Sequence, residues 1–335
     1  MDRRAVGAIV GGVGLSALAA ATGIRLAGTR IRERRRPDLD ELLAPPSEVR
    51  HHTVATSDGG SLHVVSAGHG PPLVLLHGVT LQWWTWSPLF HLLADRCRVV
   101  AWDMRGHGRS EAGSDGVSLE ATGRDLVELL EALELHDAVV VGHSMGGMAM
   151  GRSAIDHPDR LVPRTGGLVF LSTATTPVSP RFLPGYLGAG AGVLAGAADR
   201  AGALPVERLW RPGDLSASLI RVAFGDEPSS VAIEAVRQMI AAVPAATSIQ
   251  AGEAILNHDL SDDLGNYGGP ALVIVGSHDH LTPLRLAERT VALLPQAELQ
   301  VVEGAGHQVM QEAPHLLAEL IDRFARGAVR LADTG

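Results

Sequence analysis

The apolar residues Ala138, Val139, Val140 and Val141 run straight into Gly142-His143-Ser144-Met145-Gly146. A short β-branched run reads as a buried strand. The pattern over 145–156 reads as a helix that stops at His157-Pro158. A strand that turns into a helix this abruptly has no room for side chains beside the turn, and the flanking glycines remove them. The central residue then takes a strained backbone conformation that holds the Ser144 hydroxyl above the sheet. The N-terminus of the following helix, with its dipole and free amides, favours developing negative charge there. The junction therefore predicts a layered α/β chain and makes Ser144 a candidate nucleophile.

A serine needs a base, and the base needs an orienting acid. After such a turn the partners follow in the order Ser, Asp or Glu, then His, on loops behind later strands. The run 271–275 reads as a buried parallel strand and leads into Gly276-Ser277-His278-Asp279-His280. Asp279 is the candidate acid. The loop behind the preceding strand, 172–180, contains no Asp or Glu. The last strand-like run, 299–302, leads into Glu303-Gly304-Ala305-Gly306-His307, and His307 is the candidate base. His315, inside the closing helix, is the weaker rival. The oxyanion donors are expected to be the backbone N–H of Met145 and, after the strand 72–76, that of Val79 in His77-Gly78-Val79-Thr80.

Other features read as structural. Asp103 and Arg105, in the glycine-rich turn 103–110, are expected to brace neighbouring loops. Trp83, Trp84 and Trp86 form an aromatic cluster that favours packing, with the wall of an apolar pocket as the alternative. His278 and His280 flank Asp279, but no Cys or carboxylate cluster completes a metal site. No metal and no cofactor are expected.

From 53 onward strands and helices alternate, as a doubly wound, mostly parallel sheet requires. The alternation breaks over about 175–266, a long stretch rich in Gly, Ala and Pro with helix-like runs such as 231–242. A structureless loop of that size is improbable, so it is expected to be an inserted helical lid. At 335 residues and 46% hydrophobic, the chain can bury a large core as one unit, placed at 51–327 with a short tail at 328–335. A net charge of -9, without a basic patch beyond the N-terminal segment, argues against a nucleic-acid partner. The lone Cys97 rules out an intramolecular disulfide.

Residues 1–36 differ from the rest. The uncharged span 5–24 is followed by Arg25, Arg30, Arg32, Arg34, Arg35 and Arg36. At about 1.5 Å per residue it reaches roughly 30 Å, the thickness of a bilayer core. A membrane anchor is expected, with the catalytic domain cytoplasmic by the positive-inside rule. The alternative is a cleaved signal, with Ala17-Leu18-Ala19 or Ala19-Ala20-Ala21 at the cleavage site, and export. Residues 37–50, with Pro45-Pro46, read as a linker.

His77-Gly78, Trp102-Asp103-Met104-Arg105-Gly106-His107-Gly108-Arg109-Ser110, the 142–146 turn, Gly276-Ser277-His278-Asp279 and Gly306-His307 stand in one order. In these motifs the chain resembles the α/β-hydrolase fold superfamily over roughly 51–327. Ala223-Phe224-Gly225 and His258-Asp259 resemble its membrane-anchored or exported actinobacterial members. The resemblance implies a cofactor-independent serine hydrolase acting on a small ester or lipid-like substrate through an acyl-enzyme. Epoxide hydrolases and haloalkane dehalogenases of the fold use Asp where this chain has Ser144. A C–C bond hydrolase, a haloperoxidase-like perhydrolase and a non-catalytic small-ligand binding protein are the alternatives, since fold alone does not select chemistry.

Overall fold

The computed structural model describes residues 33–177 and 210–332. Eight strands form one sheet: β1 (Arg50–Ala55), β2 (Ser61–Ala67), β3 (Pro72–Leu76), β4 (Arg98–Trp102), β5 (Ala138–His143), β6 (Thr165–Leu171), β7 (Ala271–Gly276) and β8 (Ala297–Val302). The order across the sheet is β1-β2-β4-β3-β5-β6-β7-β8. β1 and β2 pair antiparallel, as do β2 and β4; every later pairing is parallel.

The longer helices are α1 (Ser87–Leu93), α2 (Leu119–Ala132), α3 (Met145–Asp156), α4 (Asp214–Ile220), α5 (Ser230–Ala242), α6 (Ala245–Asn257), α7 (Leu284–Leu293) and α8 (Pro314–Ala332). Ser118 caps α2, its hydroxyl accepting the Ala121 N–H at 3.1 Å, which satisfies one of the donors a helix start leaves open. The period-two alternation of the strands divides the core. Val74, Leu76 and Val140 pack with Leu126, Leu130, Met148 and Leu286 of α2, α3 and α7. Leu73, Leu75 and Val141 point the other way, onto Leu89, Phe90, Leu317 and Ile321 of α1 and α8. Fully burying each such side chain contributes roughly 1.5–3 kcal/mol, so both faces need a helical layer. That requirement gives the doubly wound arrangement.

The stretch expected as a lid lies partly outside the described residues, at 178–209. Its described part is helical: α4, α5 and α6 leave the sheet after β6 and return to it at β7. Residues 34–43 lie against this insertion. The Arg34 guanidinium donates to the Asp226 carbonyl at 3.0 Å, Ser230 N–H donates to the Arg34 carbonyl at 2.8 Å, and Leu39 and Leu43 are buried.

The expectation of a membrane-anchored chain with a cytoplasmic catalytic domain is corrected. Among the described residues no single helix is long and apolar enough to cross a membrane. The pair α5 and α6 has sufficient length and composition together, but is bent by 104° at its break. A straight span needs about 20 consecutive apolar residues. The apolar run at 5–24 lies outside the described residues.

Candidate active site

Ser144 sits between β5 and α3 with φ 53° and ψ −120°. A non-glycine residue at positive φ is uncommon and strained, and persists where the surroundings over-determine it. Here they do. A Cβ on Gly142 would lie 2.6 Å from the Gly147 Cα, and one on Gly146 would lie 2.6 Å from the His77 carbonyl oxygen. The Ser144 N–H donates to the Leu171 carbonyl at 3.0 Å, and the Thr173 hydroxyl donates to the Ser144 carbonyl at 2.6 Å. The turn is held from β6 as well as by its own helix.

Asp279 follows β7 and His307 follows β8, so both come from loops at the C-terminal ends of parallel strands, on the side where Ser144 emerges. The His307 Nδ1–H donates to Asp279 Oδ2 at 2.9 Å. The other carboxylate oxygen, Oδ1, accepts the N–H groups of Leu281 at 2.9 Å and Thr282 at 2.8 Å. The Thr282 hydroxyl donates to Oδ2 at 2.8 Å. Burial works to raise the Asp279 carboxyl, but the charge and hydrogen bond of His307 and the Thr282 donors outweigh it and hold the group below its ordinary value. An ionised carboxylate on Nδ1 selects one imidazole tautomer and leaves Nε2 to exchange a proton. Asp279 and His307 are 3% and 4% exposed, so this pair is shielded from bulk water.

Ser144 and His307 line one pocket of about 50 Å³. Its other walls are Gly78, Val79, Thr80, Leu81 and Leu281 from the sheet loops, and Leu219, Ile220, Val236 and Ile240 from α4 and α5. The insertion therefore forms an apolar roof over the serine. Among the described residues Trp83, Trp84 and Trp86 do not line this pocket. Trp86 is fully buried with its ring edge-on to His143, and Trp83 packs edge-on against Phe90.

The loop after β3 is braced by two histidines whose roles sequence reading did not identify. Thr80, at φ 60°, donates its N–H to His107 Nε2 at 3.2 Å. The His107 Nδ1–H donates to the Arg105 carbonyl at 3.0 Å. His77 Nε2 accepts the Met104 N–H at 2.9 Å, and its Nδ1–H donates to the Gly78 carbonyl at 2.7 Å. Burial, reinforced by His107, pulls His77 down to about 3, and burial also lowers His107. Each ring is thus neutral, one nitrogen donating and the other accepting, as these bonds demand. Val79 stands between the braced positions, and Met145 is the first residue of α3, whose N–H has no partner within the helix.

Asp103 and Arg105 act as struts. Asp103 accepts from His63 at 2.8 Å and from the Trp83 N–H at 2.9 Å. Arg105, wholly buried, reaches Asp125 at 2.7 Å and Asp58 at 2.9 Å. His278 pairs with Asp226 of the insertion at 3.0 Å. His143, Thr282 and Glu312 also belong to this region and went unassigned from sequence. Thr282 had a local signal, since an Asp followed three residues on by Thr can bond its own turn. Glu312 had none, because its partners are far apart in the chain.

A model of the alpha/beta hydrolase fold family matches residues 71–314. The chain is 28% identical over 276 residues to an uncharacterized protein of Mycobacterium tuberculosis, covering 77% of this chain and 76% of that one. It is 33% identical over 166 residues to bifunctional epoxide hydrolase 2 of Sus scrofa, but that match covers 49% of this chain and spans only 28% of the porcine protein. A solved thermophilic esterase from Thermogutta terrifontis superposes with a TM-score of 0.68 at 26% identity, covering 83% of this chain and 99% of the esterase.

Proposed function

The chain belongs to the alpha/beta hydrolase fold family, and within it we propose a cofactor-independent serine hydrolase that cleaves a carboxylic ester through an acyl-enzyme on Ser144. One observation carries the reading. A serine held at strained, positive φ shares a pocket with a histidine whose Nδ1 is bonded to a buried carboxylate. In this reading His307 Nε2 takes the Ser144 proton as Oγ attacks the ester carbonyl. The N–H groups of Val79 and Met145 stabilise the oxyanion. The imidazolium then returns the proton to the leaving alcohol. Water attacks the acyl-enzyme with His307 again as base, and Ser144 is regenerated.

The apolar walls favour an uncharged substrate. The likeness to the Thermogutta esterase supports the ester reading. An epoxide hydrolase of this fold would need a carboxylate nucleophile where Ser144 stands. The test is a series of p-nitrophenyl esters from acetate to palmitate, with Ser144→Ala as the blank, together with labelling by a fluorophosphonate. Turnover of at least one ester in the series, and both turnover and labelling lost in Ser144→Ala, are expected. A wild-type protein that neither turns over esters nor becomes labelled would reduce the chain to a binding protein.

A further inference from the structure

Glu312 closes the short helix Val309–Glu312 that follows His307. Its two carboxylate oxygens reach different parts of the chain. Oε1 accepts the Gly306 N–H at 3.0 Å, on the peptide directly before His307. Oε2 accepts the Gly225 N–H at 2.6 Å, in the insertion between β6 and β7. The same two segments meet through their backbones: His307 N–H donates to the Ala223 carbonyl at 3.0 Å, and Asp226 N–H donates to the Gly304 carbonyl at 2.9 Å. The meeting is close enough that a side chain on Gly306 would collide with the Phe224 backbone, and one on Gly225 with the Gly304 carbonyl. Only with both positions bare can a single carboxylate span both N–H groups.

We propose that Glu312 is a positioning residue that clasps the 223–226 segment of the insertion onto the loop carrying His307, and so holds the imidazole in register with Ser144. The inference rests on the serine-hydrolase reading above. It joins the pocket roof to the base, because Ala223 and His307 line the same pocket and are bonded to each other. Glu312 touches neither Ser144 nor the pocket in this arrangement. It acts through the two loops. Burial alone works against keeping a carboxylate here, and the backbone donors Gly225, Gly306 and Gln308 offset part of that cost.

Glu312→Ala and Glu312→Gln, each checked as folded by circular dichroism, test the clasp with two readouts. One is amide hydrogen exchange resolved at Gly225 and Gly306. The other is the rate of fluorophosphonate labelling of Ser144 in the folded protein. In Glu312→Ala both amides should lose protection and labelling should slow by about 10²-fold, the scale set by a misplacement of about 1 Å. Glu312→Gln keeps one acceptor oxygen, so it should fall between Glu312→Ala and wild type in both. Slower labelling of protein that is still folded is not expected of a residue that only adds stability. Unchanged exchange in a folded Glu312→Ala overturns the clasp. Faster exchange with unchanged labelling overturns the positioning role. If Glu312→Ala does not fold, Glu312→Gln carries the same readings, and wild-type behaviour in both overturns the proposal. If wild type is not labelled, the serine-hydrolase reading has failed, and with it the positioning role; exchange then judges the clasp separately.

Discussion

The residue directly before the candidate nucleophile holds the backbone of the candidate base: the His143 Nε2–H donates to the His307 carbonyl at 3.0 Å. The two rings lie 4.7 Å apart. Because a carbonyl only accepts, Nε2 carries the proton. Burial and the neighbouring His307 push His143 well below its usual range, so the ring stays neutral. The His307 peptide is thus gripped on both sides, its N–H by Ala223 and its C=O by His143.

His143→Ala should therefore lose more than packing. A buried carbonyl deprived of its donor costs about 1–3 kcal/mol, which should appear as a lower urea midpoint with an unchanged slope. The loosened base should also lower ester turnover. A variant as stable and as active as wild type would show that this hydrogen bond positions nothing.

Ser144→Ala and His307→Ala should each reduce ester turnover by several orders of magnitude, and the double variant should be little worse than either. Residues that act as one unit are strongly non-additive. Losses that multiply in the double variant would remove the assignment of these residues to one proton-transfer unit.

Asp279→Asn should keep the fold but cut turnover by very roughly 10⁴-fold, because the imidazole loses its charge stabiliser and its correct tautomer. The same substitution should change acid sensitivity. The folded state holds the Asp279 carboxyl below its ordinary value, so wild type has stability from this group above the unfolded pKa, near 3.8, and loses it as pH falls through the folded value. Unfolding curves of the variant should lack that acid-side loss. Near-normal activity in Asp279→Asn, with activity abolished by Asp262→Asn or Asp263→Asn, would identify a different acid.

Glu312 has the opposite sign. Burial, with a smaller push from Asp279, raises it to about 7, and the Gly225, Gly306 and Gln308 N–H groups limit the rise. The folded state therefore binds more protons than the unfolded chain between the ordinary carboxyl value, near 4.5, and about 7. Stability from this group is complete below that window and is lost as pH rises through it. Against Glu312→Gln, which does not titrate, wild type should lose at most on the order of 3 kcal/mol between pH 4 and pH 8. Denaturant titrations of both proteins across that range check this. A constant difference would show that the carboxyl does not titrate there.

Arg105→Ala should be among the most destabilising single changes. It strands the buried Asp125 and leaves Asp58 only Arg124, at 3.6 Å, as a cationic partner, around a site where the guanidinium had no exposure. Removing one partner of a buried ion pair costs about 3–5 kcal/mol. Thermal melts should report the loss, while the folded fraction should still label at Ser144. A change of less than about 1 kcal/mol, the scale of an exposed pair, would show that the network contributes little.

Local pattern by itself determined most of the scaffold. The β-branched run before Gly142, the Ser144 turn and the alternation around it specify a buried parallel sheet with helices on both faces. Chain order was enough to nominate Asp279 and His307, because each stands at the end of a recognisable strand, and strand ends on one side of a parallel sheet converge. Asp279 is held largely by its own turn, through Leu281 and Thr282, but tertiary structure alone decided how the His307 loop is held. His143 and His307 are 164 residues apart, and Glu312 and Gly225 are 87 apart. Residues that far apart carry no shared local pattern. Their meeting depends on how the insertion packs on the loop after β8, and so does the apolar roof from Leu219, Val236 and Ile240. Periodicity showed that 231–242 would be a helix. Which of its faces would look down on Ser144 was decided by its packing on the rest of the chain.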